Sequence, residues 1–135
     1  IFQTTGNDSC HVILRGGTGT GPNYEAEHIS RVCAKLAAKG RRETVMIDCS
    51  HGNSHKDHQR QAEVAASICR QVASGSWQIF GTMLESHLIE GRQDYVPGQP
   101  AVYGQSITDA CISLAQTEPL LEQFAKAQQT RGKGR

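Results

Sequence analysis

One guanidinium, one imidazole and two carboxylates stand at intervals that could bring them together: Arg15, His51, Glu85 and Asp109. The first three lie at or near the carboxyl ends of apolar runs of strand length, over 11–17, 44–51 and 79–87. Arg15 and His51 are 36 positions apart and His51 and Glu85 are 34 apart, about one strand-plus-helix unit each. In α/β barrels, polar residues at the carboxyl ends of successive parallel strands converge on one site. One imidazole and two carboxylates from separate loops suit a borderline divalent ion such as manganese, iron, cobalt or zinc.

Each residue also has a plainer reading. His51 can simply hydrogen-bond within a strand-to-helix turn, and Glu85 can be a solvated strand-end carboxylate. Asp109 suits the third position of a helix, where a carboxylate interacts favourably with free amides and the dipole. Arg15 precedes Gly16-Gly17, glycines that allow a ligand close to the backbone while the guanidinium forks onto a phosphate or carboxylate. Its alternative is a salt bridge to Asp48 on the neighbouring strand. Residues 17–21 contain neither G-x-G-x-x-G nor G-x-x-x-x-G-K-[ST], so a nucleotide loop is not expected. Cys49 reads as a packed thiol. His87 is a candidate supporting group for Glu85 by strand alternation, whereas His28, His55 and His58 read as solvent-facing.

The elements that must position these residues follow from periodicity. Residues 25–39 carry Ile29, Val32, Cys33 and Leu36 as the stripe of an amphipathic helix, and Gly40 sits at its C-cap. Ser54-His55-Lys56-Asp57 resembles a capping box for a second helix, with Ala62, Ala65, Ala66, Ile68, Cys69 and Val72 on one face and Gly75 as its stop. A turn-rich loop spans 91–105, with Pro97-Gly98 as its clearest punctuation. Ser106-Ile107-Thr108-Asp109 then predicts a short helix. Thr117-Glu118-Pro119 predicts another, running to about Thr130 with Leu120, Leu121, Phe124 and Ala127 on one side. The order of elements implies an α/β architecture of parallel strands joined by right-handed crossovers.

Bulk composition narrows the class. The 135 residues fit one domain, whereas a full eight-unit barrel needs roughly 250 residues. Fourteen basic and 13 acidic residues leave a net charge of +1, which gives no long-range attraction to nucleic acid or an anionic membrane. The basic tail Arg131-Gly132-Lys133-Gly134-Arg135 reads as a frayed terminus. No window approaches a membrane span, and the chain begins on Ile1, as expected of an excised piece. Cys10, Cys33, Cys49, Cys69 and Cys111 are scattered and odd in number, which argues against a disulfide framework and for a reducing, cytoplasmic setting.

Five ordered motifs carry a more specific signal. They are Ile13-Leu14-Arg15-Gly16-Gly17, Pro22-Asn23-Tyr24, Met46-Ile47-Asp48-Cys49-Ser50-His51-Gly52-Asn53-Ser54, Met83-Leu84-Glu85-Ser86-His87-Leu88 and Tyr103-Gly104-Gln105-Ser106-Ile107-Thr108-Asp109-Ala110-Cys111. Over nearly the whole chain this pattern resembles the class I 3-deoxy-D-arabino-heptulosonate 7-phosphate (DAHP) synthases, transferases that open the shikimate pathway of aromatic amino acid biosynthesis. The resemblance implies that residues 1–135 are a single partial domain, the C-terminal part of a (β/α)8 TIM barrel, about strands six to eight with their helices. It also implies that His51, Glu85 and Asp109 are three of four metal ligands, and that Arg15 binds phosphoenolpyruvate.

The family's fourth ligand, a cysteine, and its Lys-Pro-Arg-Thr grip on erythrose 4-phosphate have no counterpart here. The isolated chain is therefore expected to be inactive. For a complete enzyme the implied reaction condenses phosphoenolpyruvate with erythrose 4-phosphate and releases phosphate. In feedback-regulated members, the segment matching Ile1 to Thr5 borders an aromatic amino acid pocket. A homo-oligomer is expected, with neither nucleic acid nor membrane as partner. The alternatives are a non-catalytic, self-associating or regulatory half-barrel module, and a related metal-dependent aldolase-type synthase.

Overall fold

The computed structural model describes residues 1–133. Three strands form one parallel sheet in sequence order: β1 (Val12–Leu14), β2 (Val45–Asp48) and β3 (Ile79–Met83). Helix α1 (Ala26–Ala37) links β1 to β2, and a 3-10 turn (His58–Arg60) leads into α2 (Gln61–Ala73), which links β2 to β3. Beyond β3 come four short strands, β4 (Ser86–His87), β5 (Ile89–Arg92), β6 (Gln105–Ser106) and β7 (Ile112–Ser113). They pair as β4 with β7 and β5 with β6. Helix α3 (Leu114–Lys133) closes the described chain, and Gly134 and Arg135 of the basic tail lie outside the described residues.

Burial explains this arrangement. Cross-strand partners Leu14 and Ile47, and Val45 and Ile79, are buried in one core with Ile29 and Cys33 of α1, Val64, Ala65, Ile68 and Val72 of α2, and Leu120 and Ala127 of α3. Val32, Leu36 and Phe124 pack at its margin. The α1 stripe is thus the one its periodicity predicts. On α2, Ala62 is exposed while Val64 and Ser67 are buried, because this helix packs extensively against α3 as well as into the core. Leu121 faces out at 57% exposure, so the inward face of α3 is Leu120, Phe124 and Ala127. The other face of the sheet carries Ile13 and Phe80, each about half exposed, and His11 packs edge-on against Phe80 across β2.

Both glycine stops take the expected form. Gly40 and Gly75 have φ of 63° and 101°. Around them, Gly40 N donates to Ala37 O and Arg41 N to Leu36 O, while Gly75 N donates to Val72 O and Ser76 N to Gln71 O. These are Schellman endings, with glycine in the left-handed position.

The expected helix starts differ from the structure. Ser54 is fully buried and its Oγ donates to His51 O, while Asp57 caps the 3-10 turn by accepting from Gln59 N. Instead of opening a helix, Ser106 belongs to β6, and its Oγ accepts from Thr108 N. The capping box that forms is Ser113 with Gln116: Gln116 N donates to Ser113 Oγ, and Ser113 N donates to Gln116 Oε1. Helix α3 therefore begins at Leu114 and continues through Pro119, which forgoes only the bond to the Ala115 carbonyl near the helix start. Arg131 donates to Ser76 O at 2.8 Å, which makes it an anchor rather than part of a frayed arm. All five cysteines are free, and no helix among the described residues is long and apolar enough to cross a membrane.

Candidate metal centre

The sheet delivers Arg15, His51 and Glu85 to its carboxyl edge, and the loop after β6 brings Asp109 to His51. Strand β2 stops at Asp48, and the chain then turns so sharply that His51 takes φ 47°, a left-handed conformation uncommon for a residue other than glycine. Lys56 N donates to His51 O at 2.7 Å, and Asp48 Oδ2 lies 2.7 Å from His51 Nδ1. Asp48 is 2% exposed and its other oxygen accepts from Ser50 N at 2.7 Å. A carboxylate only accepts, so Nδ1 donates to Asp48, and this bond turns Nε2 toward Glu85 and Asp109.

Nε2 of His51 lies 3.4 Å from Glu85 Oε1 and 3.7 Å from Asp109 Oδ2. One donor atom from each of the three residues falls within 4.8 Å of the others. Ligands of a transition-metal ion bound at roughly 2.0–2.2 Å sit roughly 3.0–3.5 Å apart, so the set is close to a coordination sphere. The donor chemistry fits as well, since an imidazole nitrogen and two carboxylates suit a divalent ion. Asp48 behind His51 supplies the carboxylate–histidine pairing that orients such ligands. Three carboxylates around one imidazole also give a field that favours a cation.

Glu85 is held more elaborately than its position predicts. Gln61, the first residue of α2 and 0% exposed, accepts from Glu85 N at 2.8 Å and donates to Glu85 O at 3.0 Å. Ile112 N adds a second donor to that carbonyl, and Ser50 Oγ donates to Glu85 Oε2 at 2.6 Å. Asp109 is exposed and stands in a bend after β6, so its helix-cap reading does not apply.

Arg15 follows β1 on the same edge as His51 and Glu85. Its guanidinium makes no ion pair or hydrogen bond among the described residues, and Asp48, its alternative partner, is occupied by His51 and Ser50. The loops after β1 and β2 are pressed together beside it. A Cβ on Gly52 would lie 2.4 Å from Gly17 N, and one on Gly16, at φ 67°, would lie 2.6 Å from the Gly52 carbonyl carbon. Asn53, 1% exposed, ties the loops: its Nδ2 donates to Leu14 O and Asp48 O, and its Oδ1 accepts from Asn23 N.

The remaining candidates separate cleanly. Cys49 is fully buried and burial pushes its thiol up to about 12, consistent with a packed residue. His87 is exposed and its Nδ1 accepts from Leu88 N, away from a supporting role. His55 is exposed as expected. His58 and His28 are half-buried, and His28 Nδ1 is buried without a partner among the described residues, against its solvent-facing expectation. Ser50, Gln61 and Asn53 were not singled out by residue type, although Ser50 and Asn53 lie inside the long motif around His51.

Known proteins resemble this chain in sequence and in fold. A family model described as the DAHP synthetase I family matches residues 1–122. A phospho-2-dehydro-3-deoxyheptonate aldolase of Haemophilus influenzae is 54% identical over 127 residues, covering 94% of this chain and 35% of that protein. The Phe-sensitive phospho-2-dehydro-3-deoxyheptonate aldolase of Escherichia coli K12 is 48% identical over 131 residues, covering 97% and 37%. The solved structure of the aldolase of that name from Francisella tularensis superposes with a TM-score of 0.88 at 49% identity, covering 96% of this chain and 37% of that one. The chain thus spans little more than a third of the length of these relatives. The family match takes in Arg15, His51, Glu85 and Asp109 together with the strands that carry them, and the chain belongs to the DAHP synthetase I family.

Proposed function

We propose that these residues are the C-terminal part, about strands six to eight, of the (β/α)8 barrel of a cytoplasmic 3-deoxy-7-phosphoheptulonate synthase. Such an enzyme condenses phosphoenolpyruvate with erythrose 4-phosphate. The observation that carries the reading is the convergence of His51 Nε2, Glu85 Oε1 and Asp109 Oδ2 beyond the carboxyl ends of β2 and β3, with Arg15 following β1 and making no ion pair among the described residues. On this reading His51, Glu85 and Asp109 hold a divalent ion, manganese, iron, cobalt or zinc, with a cysteine from outside these residues. When bound, the ion supplies Lewis acidity toward an aldehyde oxygen.

This chain's own residues then do three things. Arg15 clamps an anionic group of phosphoenolpyruvate, which limits its motion and balances shifting charge. Asp48 accepts from His51 Nδ1 and so orients the ring with Nε2 toward the site. Asn53, Gly16 and Gly52 hold the loop that follows Arg15 against the loop that carries His51. An aromatic amino acid is the proposed feedback ligand, and a homo-oligomer the proposed assembly.

The test is phosphate release by the full-length synthase carrying these residues. Erythrose 4-phosphate with a divalent ion should support release, and a five-carbon aldose phosphate should not. Arg15→Ala should raise the KM for phosphoenolpyruvate. Metal-independent release, or preference for the longer acceptor, would overturn the reading. The 135 residues alone should show no turnover.

A further inference from the structure

We propose that Ser50 fixes Glu85 as a one-oxygen donor and thereby sets which divalent cation the site prefers. The inference rests on the metal-site reading above and goes beyond it by naming a selectivity determinant. Glu85 cannot shift as a whole, because Gln61 holds its N–H and carbonyl and Ile112 N holds the same carbonyl. What remains free is rotation of the side chain, and Ser50 removes it. The Ser50 hydroxyl is 2.6 Å from Glu85 Oε2, within the range of a charge-assisted bond, and it leaves Oε1 facing His51 Nε2 at 3.4 Å. Ser50 is itself fixed: it is 4% exposed, its N–H donates to Asp48 Oδ1, and its carbonyl accepts from Ser54 N. The same Asp48 anchors His51, so one buried carboxylate sets the bearing of two donor residues.

A carboxylate restricted to one oxygen suits small ions of low coordination number such as zinc. A carboxylate free to offer both oxygens raises the coordination number and suits larger, more adaptable ions such as manganese or calcium. Removing the hydroxyl should therefore change the ranking of metals as well as the affinity for each.

The experiment is competition binding of Zn2+ and Mn2+ to the full-length synthase carrying these residues and to its Ser50→Ala, Ser50→Thr and His51→Ala variants. Ser50→Ala should weaken Zn2+ roughly tenfold and Mn2+ by clearly less, so that the Zn2+ to Mn2+ affinity ratio falls. Ser50→Thr, which keeps the hydroxyl, should restore the ratio. Equal weakening of both metals, or an unchanged ratio, would overturn the proposal, because a residue that only supports the fold would move both together. Wild-type protein that binds neither ion, or binds both as well without His51, would overturn the metal-site reading itself.

Discussion

Replacing Asn53 probes the joint between fold and site. This side chain makes three hydrogen bonds, two from Nδ2 to the carbonyls of Leu14 at 3.0 Å and Asp48 at 2.7 Å, and one accepted by Oδ1 from Asn23 N at 2.8 Å. At about 1 kcal/mol net per bond, Asn53→Ala should cost about 3 kcal/mol, a large part of the 5–15 kcal/mol typical of a domain. Asn53→Asp is the sharper variant. It keeps the volume and the acceptor toward Asn23, but sets a carboxylate oxygen against two carbonyls where a donor stood. It should therefore be at least as destabilising as alanine. Urea unfolding followed by circular dichroism, with the denaturant slope compared between variants, measures both. A cost below about 1 kcal/mol for Asn53→Asp would refute the view that these bonds, rather than shape, hold the β1 and β2 loops together.

Two further outcomes follow from the same geometry. Asp48→Asn, with only one acceptor oxygen left for His51 Nδ1 and Ser50 N, should weaken divalent metal binding roughly 10- to 100-fold in calorimetric titration. Cys49, whose thiol burial pushes up to about 12 from 9.0, binds its proton more tightly folded than unfolded. Its contribution is fully present below pH 9 and is lost as pH rises toward 12, on the order of 4 kcal/mol across that window. Folded protein at pH 8 should accordingly leave Cys49 unlabelled by a thiol reagent while exposed Cys10 reacts.

The parallel strands were legible because strands covered by helices read as unbroken apolar runs, and their carboxyl ends pointed to Arg15, His51 and Glu85. Gly40 and Gly75 marked helix ends because a left-handed position selects glycine locally. Partners far apart in sequence left no comparable trace. Gln61 meets Glu85 across 24 positions and Ser50 meets it across 35, so neither bond has a local signature. The start of α3 differs for another reason: Thr117 before Glu118-Pro119 resembles a helix cap, yet the Ser113–Gln116 capping box starts the helix four residues earlier. Asp109 likewise looked like a helix cap until the pairing of β5 with β6 claimed Ser106 for a strand.

The most direct test of the donor set is pulsed electron paramagnetic resonance of Mn2+ bound to the full-length synthase carrying these residues, which detects nitrogen nuclei coupled to the ion. One imidazole nitrogen should couple in the wild type, and the coupling should vanish in His51→Ala. Absence of nitrogen coupling in the wild type, or its persistence without His51, would contradict the assignment of His51, Glu85 and Asp109 as the metal-holding residues.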